Sequence, residues 1–194
     1  DLNRRLSVSD SFEIFINKVN DAPIASDISV DVNEDTPQII FADFNDIDSE
    51  NSSISVVINT SSQHGSLTVQ GQGFSYYPDS NFIGADFFTY RVFDGFDYSE
   101  EATVFIYVQP ANDPPEISNI EDQQIDEDTN LEIAIDAIDI DMDILTFEAI
   151  CDNAEILIVD NILTINPEAN FNGDISIIVS VSDGEFTDDT EFLI

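Results

Sequence analysis

One cysteine, no tryptophan and only four lysines and arginines stand among 194 residues, and each scarcity excludes something. A lone Cys151 cannot close an internal disulfide, so any staple this chain needs outside a cell must come from elsewhere. Four cations against 41 Asp and Glu leave a net charge of −37. Nucleic acid and anionic lipid are excluded as partners, because both are held by Lys and Arg neutralising phosphate. No uninterrupted apolar run is long enough to enter a membrane, and nothing resembles a signal peptide. A hydrophobic fraction of 42% is nevertheless ordinary for a folded chain, since disorder needs low hydrophobicity together with high charge. Self-repulsion on this scale loosens a compact state, so counter-ions, and divalent cations above all, are expected to matter.

What the chain has in abundance is a repeated acidic phrase. Asn20-Asp21-Ala22-Pro23, Val32-Asn33-Glu34-Asp35-Thr36 and Asp46-Ile47-Asp48 return as Asn112-Asp113-Pro114-Pro115, Asp126-Glu127-Asp128-Thr129 and Asp139-Ile140-Asp141. Asn81-Phe82-Ile83-Gly84 returns as Asn170-Phe171-Asn172-Gly173, which makes a repeat of roughly 90 residues and two domains. Carboxylates thus recur at the joints between units, where a hard cation could bridge them.

The periodicity is that of strands. Apolar and polar residues alternate in Phe12–Ile16, Ser53–Ile58, Ser66–Val69 and Thr103–Val108, and no segment sustains a helical period. Turn-forming clusters separate these runs at the spacing of β-sandwiches, and Asp94-Gly95 and Asp183-Gly184 read as hairpin turns. The fold class is all-β. Residues 1–19 align with the end of a repeat and read as the final strand of a preceding unit. A full unit spans 20–111, and a second spans 112–194, truncated in its last strand. The chain reads as an interior stretch of a longer array.

On the Asn-Asp-x-Pro linker, the acidic pair Glu34-Asp35 (Glu127-Asp128), Asp-x-Asp at Asp46 and Asp48 (Asp139 and Asp141), and the run Tyr76 to Gly95, the chain resembles cadherin-like and bacterial Ig-like tandem repeats. These are the repeats strung through large secreted, RTX-type adhesins and surface proteins. The resemblance covers nearly the whole chain. It implies two Greek-key β-sandwiches of seven strands each, arranged end to end, with Ca2+ at the linkers. Carried over residue by residue, the complete junction would use Glu34, Asn112, Asp113, Asp139, Asp141 and Asp183, with Asp35 a further candidate. A half-junction at the start would use Asn20, Asp21, Asp46, Asp48 and Asp94. The family's Leu-Asp-Arg-Glu motif is absent. Pro78-Asp79-Ser80-Asn81 and Pro167-Glu168-Ala169-Asn170 take its place, leaving Asp79 a weaker candidate and one or two ions per joint the expectation. Ca2+ accepts six to eight oxygen ligands in flexible geometry, and a linker that donates them is stiffened.

The function so implied is that of calcium-rigidified extracellular spacer or adhesion repeats, bacterial and secreted or at the cell surface. Their partners are neighbouring repeats of the same chain. The alternative is a calcium-dependent recognition module for polysaccharide or another cell-surface protein, appended in one version to a secreted hydrolase. High acidity could also record life in salt. Tyr76, Tyr77, Phe96 and Tyr98 offer an aromatic platform for a sugar, against the plainer reading as strand packing. His64 reads as a loop residue, Cys151 as a small buried hydrophobe, and Asp122, Asp188 and Asp189 as solvated acids. Asn51 and Asn59 fit the glycosylation pattern. No nucleophile, base and oxyanion arrangement is recognisable, so no catalysis is expected.

Overall fold

The computed structural model describes residues 11, 13–17, 19–47 and 54–194, and these divide into two compact units, residues 1–110 and 111–194. Among the described residues there is no helix.

Unit 1 contains β1 (Ile24–Ala25), β2 (Ile28–Asn33), β3 (Gln38–Phe41), β4 (Phe44–Asn45), β5 (Ser55–Thr60), β6 (Gly65–Gln70), β7 (Gly73–Pro78), β8 (Gly84–Phe93) and β9 (Ala102–Gln109). A four-stranded sheet runs β2-β9-β8-β5, with β2 parallel to β9, and a three-stranded sheet runs β3-β7-β6. These are the seven expected strands, and a short β1-β4 ribbon is added to them. Strand alternation sends Phe88, Tyr90 and Val92 of β8 and Val104, Ile106 and Val108 of β9 onto Phe74 and Tyr76 of β7. The rings of Phe74 and Phe88 meet edge to face at 4.9 Å, and those of Phe74 and Tyr90 at 5.2 Å. Burying each such side chain is worth about 1.5–3 kcal/mol.

Unit 2 contains β10 (Glu116–Ile117), β11 (Leu131–Ala134), β12 (Ala137–Ile138), β13 (Thr146–Cys151), β14 (Ala154–Val159), β15 (Ile162–Pro167), β16 (Ser176–Ser182) and β17 (Thr187–Leu193). Its sheets are β11-β15-β14 and β13-β16-β17, with a β10-β12 ribbon, around Leu163, Ile165, Ile177, Val179, Val181 and Phe192. Six strands therefore make the two main sheets where seven were expected. The stretch that answers β2, before Asp126-Glu127-Asp128, carries no strand. It is fastened to β17 by one backbone bond, Gln123 N to Leu193 O, and by the Leu193 amide donating to the Asp122 carboxylate. A side-chain acceptor thus stands in for part of a ladder, and Asp122 is structural rather than merely solvated. Asp188 likewise accepts from the Ile117 amide at 3.0 Å.

The expected hairpin turns are present: Gly95 and Gly184 hold φ of 103° and 105°, conformations that only glycine adopts without strain. Ahead of β1 the expectation differs from what is seen. Residues 13–17 carry no strand, and Ile14, Phe15 and Ile16 are 73%, 84% and 91% exposed. Alternation alone makes no strand, because a strand is defined by its ladder and no described strand pairs with these residues.

Candidate metal-binding sites

In unit 1 the linker is tied to the turn after β8. Asn20 donates from Nδ2 to Asp94 Oδ2 at 3.0 Å and to Asp97 Oδ2 at 3.1 Å. Asp94 is only 2% exposed, and its Oδ1 accepts the amides of Phe96 and Asp97 at 2.6 and 2.8 Å. That Asx-type turn is why Asp-Gly stands here. The Asp97 amide, then Asn20 and the Phe96 amide, hold the Asp94 carboxyl below its ordinary pKa against partial desolvation. Asp97 escaped sequence reasoning because it has no repeat counterpart, Glu185 lying in the shorter turn of unit 2.

Unit 2 repeats the arrangement. Asn112 Nδ2 donates to Asp183 Oδ2 at 2.8 Å, while Asp183 Oδ1 accepts the amides of Glu185 and Phe186 at 2.6 and 2.7 Å. Desolvation opposes the charge on Asp183, but these amides and Asn112 outweigh it, and its pKa lies below the ordinary value. The second linker residue, Asp113, donates its amide to Asp141 Oδ2 at 2.8 Å, and the two carboxylates approach within 4.8 Å. Asp139 Oδ1 accepts the Asp143 amide at 3.2 Å, whereas its Oδ2 is buried with no hydrogen-bond partner among the described residues. A buried carboxylate oxygen left over in this way is a donor suited to a hard cation.

Glu34, at the end of β2, is 2% exposed, and its amide donates to the Gln109 carbonyl, whereas its counterpart Glu127 is exposed. Asp21 is exposed and Asp46 half-buried; Asp48, like Asn51, lies outside the described residues. Asp35 turns inward on its own unit: its Oδ1 accepts the Asn81 amide at 3.3 Å, as Asp128 accepts Asn170 at 2.8 Å, and all four residues hold positive φ. Asp35 Oδ2 is buried with no hydrogen-bond partner among the described residues. This latch is what the Pro-x-x-Asn segment does in place of the missing motif. Asp79 is exposed, and its amide closes onto the His64 carbonyl.

The aromatic platform is dispersed. Tyr76 is fully buried, because its hydroxyl finds Asp86 and His64 inside the sandwich. Tyr77 stands on β7, while Phe96 and Tyr98 belong to the β8–β9 connection, where Tyr98 stacks on Phe93. His64 is exposed and stacks on Phe82 at 4.2 Å, a loop residue as read. Cys151 is half-buried, its Sγ 3.5 Å from the Ala154 carbonyl, and burial pushes its thiol pKa up. Asn59 is exposed and donates to Glu101.

A family model for the bacterial Ig domain matches residues 20–107, and one for the cadherin-like domain matches residues 111–193. The chain belongs to the cadherin-like and bacterial Ig-like tandem repeats. Cadherin-like domains commonly bind Ca2+, and domains of both kinds are typically non-catalytic and usually extracellular. No curated protein matches the chain. Among solved structures, an endo-fucoidan hydrolase of glycoside hydrolase family 107 is 20% identical over 93% of this chain and 29% of its own, with a TM-score of 0.41. The repeats therefore span under a third of that enzyme's length. Human mucin-like protocadherin EC1-2 is 17% identical over 88% of this chain and 96% of its own, at 0.41. The N-terminal eight Ig domains of Down syndrome cell adhesion molecule are 12% identical over 88% of this chain and 27% of their own, at 0.46. No helix of the described residues is long and apolar enough to cross a membrane.

Proposed function

We propose that these repeats are extracellular spacers of a bacterial surface or secreted adhesin, stiffened by calcium at their linkers. The observation that carries the reading is the recurrence, in both units, of one polar arrangement. A linker asparagine bonds the aspartate of the Asp-Gly turn, Asn20 to Asp94 and Asn112 to Asp183, and the sequence of each unit carries an Asp-x-Asp pair. Turn chemistry alone requires only the aspartate; it does not require a linker amide held against it twice. In both places the amide offers its nitrogen, a neutral donor among carboxylates, to groups that a divalent cation would satisfy better. The ligand set of the complete joint is Glu34, Asn112, Asp113, Asp139, Asp141 and Asp183, and Asn20, Asp21, Asp46, Asp48 and Asp94 form the half-set. Asp35, occupied by Asn81, and Asp79 are secondary.

With calcium at ~10-fold excess over a dissociation constant of ~10⁻⁴ M, each site adds about 1.4 kcal/mol. For a domain of this size that raises the thermal midpoint by about 5–10 °C. The test is the midpoint in chelator and in millimolar calcium, with magnesium and matched ionic strength as controls. A calcium-specific rise lost in Asp139→Ala or Glu34→Ala supports the reading. A rise that ionic strength alone reproduces removes the metal and leaves salt adaptation.

A further inference from the structure

The outer face of the four-stranded sheet in unit 1 carries an aromatic surface that the fold does not require. Along β9, Val104, Ile106 and Val108 are buried, while Phe105 and Tyr107 point outward at 52% and 50% exposure. Phe87 of β8, directly opposite Phe105, is 47% exposed. On the other side of β9, Ser29 and Asp31 of β2 stand beside Phe105 and Tyr107. Ser29, Asp31, Ala85, Phe105 and Tyr107 line a shallow groove of ≈ 330 Å³ on this face.

Unit 2 shows that the rings are dispensable to the architecture. Gly84 and Gly173 share a φ of 133° and fix the alignment of the two units. Three residues beyond them stand Phe87 and Ser176, whose cross-strand partners are Phe105 and Leu193. The same sheet is thus built with a Ser–Leu pair where unit 1 exposes Phe–Phe.

Two quantities select the occupant. The net charge of −37 repels a second copy of the chain, and it repels anionic glycans and acidic peptides equally. Three half-exposed rings offer on the order of 300 Å², well short of the roughly 800 Å² per partner of a stable protein interface. A neutral sugar chain meets neither objection. Its flat C–H faces stack on aromatic rings, and its hydroxyls can bond the Ser29 hydroxyl and the Asp31 carboxylate, the combination of apolar wall and few polar groups that small-ligand sites use. We propose that unit 1 binds an uncharged polysaccharide on this face, with successive pyranose rings stacked along Phe87, Phe105 and Tyr107. This surface is separate from the calcium ligands, so binding is expected in chelator as well as in calcium.

The test is affinity electrophoresis of the full chain in native gels containing hydroxyethylcellulose, soluble β-1,3-glucan or galactomannan, with carboxymethylcellulose as the anionic counterpart. The expected result is retardation by at least one neutral glycan. Affinity should fall roughly tenfold or more in Phe87→Ser/Phe105→Leu, which transplants the pair of unit 2 and so preserves the fold. Tyr107→Ala gives a second reading, and an unchanged thermal midpoint excludes unfolding as the cause of either loss. Retardation by none of the neutral glycans, equal retardation by carboxymethylcellulose, or retention unaffected by the transplant overturns the proposal. Dimerisation seen by sedimentation and abolished by the transplant overturns it too, assigning the face to a second copy.

Discussion

Asp86, on β8, is a buried carboxylate at 4% exposure, and its replacement by asparagine tests the packing logic of unit 1. Its Oδ1 accepts the amides of Gln63 and Phe87 at 3.0 and 2.8 Å, and its Oδ2 accepts the His64 amide at 3.0 Å and the Tyr76 hydroxyl at 2.9 Å. The carboxylate therefore pins the β5–β6 loop to the start of β8. In Asp86→Asn one oxygen keeps its two donors, but the new NH₂ faces the His64 N–H and the Tyr76 hydroxyl. The Tyr76 hydroxyl can turn to accept from the NH₂ and donate to the His64 carbonyl, but the His64 N–H loses a charged acceptor and is left facing a donor, so destabilisation of about 3 kcal/mol is expected. At a urea m-value of about 1.5 kcal/mol/M the midpoint should fall by roughly 2 M. The assay can be confined to one unit. All five tyrosines, Tyr76, Tyr77, Tyr90, Tyr98 and Tyr107, lie in unit 1 and there is no tryptophan, so tyrosine emission reports unit 1 alone while far-UV circular dichroism follows both. Burial works against the charge on Asp86, yet the amides of Gln63, His64 and Phe87 and the Tyr76 hydroxyl outweigh it and lower its pKa. A lowered folded pKa contributes stability above the unfolded carboxyl range, and that stability is lost as pH falls through the folded value. The variant should flatten this acid arm. A tyrosine-detected midpoint that barely moves, or an equal shift in the unit 2 transition, would refute the reasoning.

Burial raises the phenol of Tyr76, with Asp86 adding to it, and burial raises that of Tyr90. Stability from both is complete below the free phenol pKa and is lost as pH rises through their folded values, so ultraviolet titration should show these two ionising above the free phenol range and together with unfolding. Gly65→Ala places a Cβ 2.5 Å from the Tyr77 carbonyl and 2.7 Å from the Tyr76 ring, and should cost about 1–3 kcal/mol in urea melts read by tyrosine emission. Asp35→Ala and Asp128→Ala each free an asparagine amide and should cost about 1 kcal/mol, measured as midpoint shifts in chelator, where calcium contributes nothing.

Strand placement, the division into two units and the paired turns were legible in the sequence, because period-two alternation and Asp-Gly turns are local signals and a repeat doubles each of them. Asn112, Asp183, Asn20 and Asp94 entered only as ligands implied by the family resemblance, and the hydrogen bond from each asparagine to its turn aspartate is seen in the fold alone. Tertiary structure alone decided the rest. Thr103–Val108 reads as an alternating run, but from Val104 onward it alternates only aliphatic with aromatic residues, so the pattern could not say which set faces the core. Packing against Phe74 and Phe88 chose the aliphatic residues and left the rings outside. Asp86 read as one acid among 41, and only the fold gathers four donors around it at a position where unit 2 has Ile175. Tyr76 left two readings open, a sugar-binding platform or plain strand packing, and the fold decides for packing, with the hydroxyl on that same carboxylate. A sequence records which side chains share a strand face; which face is covered, and which donors converge on a buried charge, depends on contacts between residues far apart in the chain.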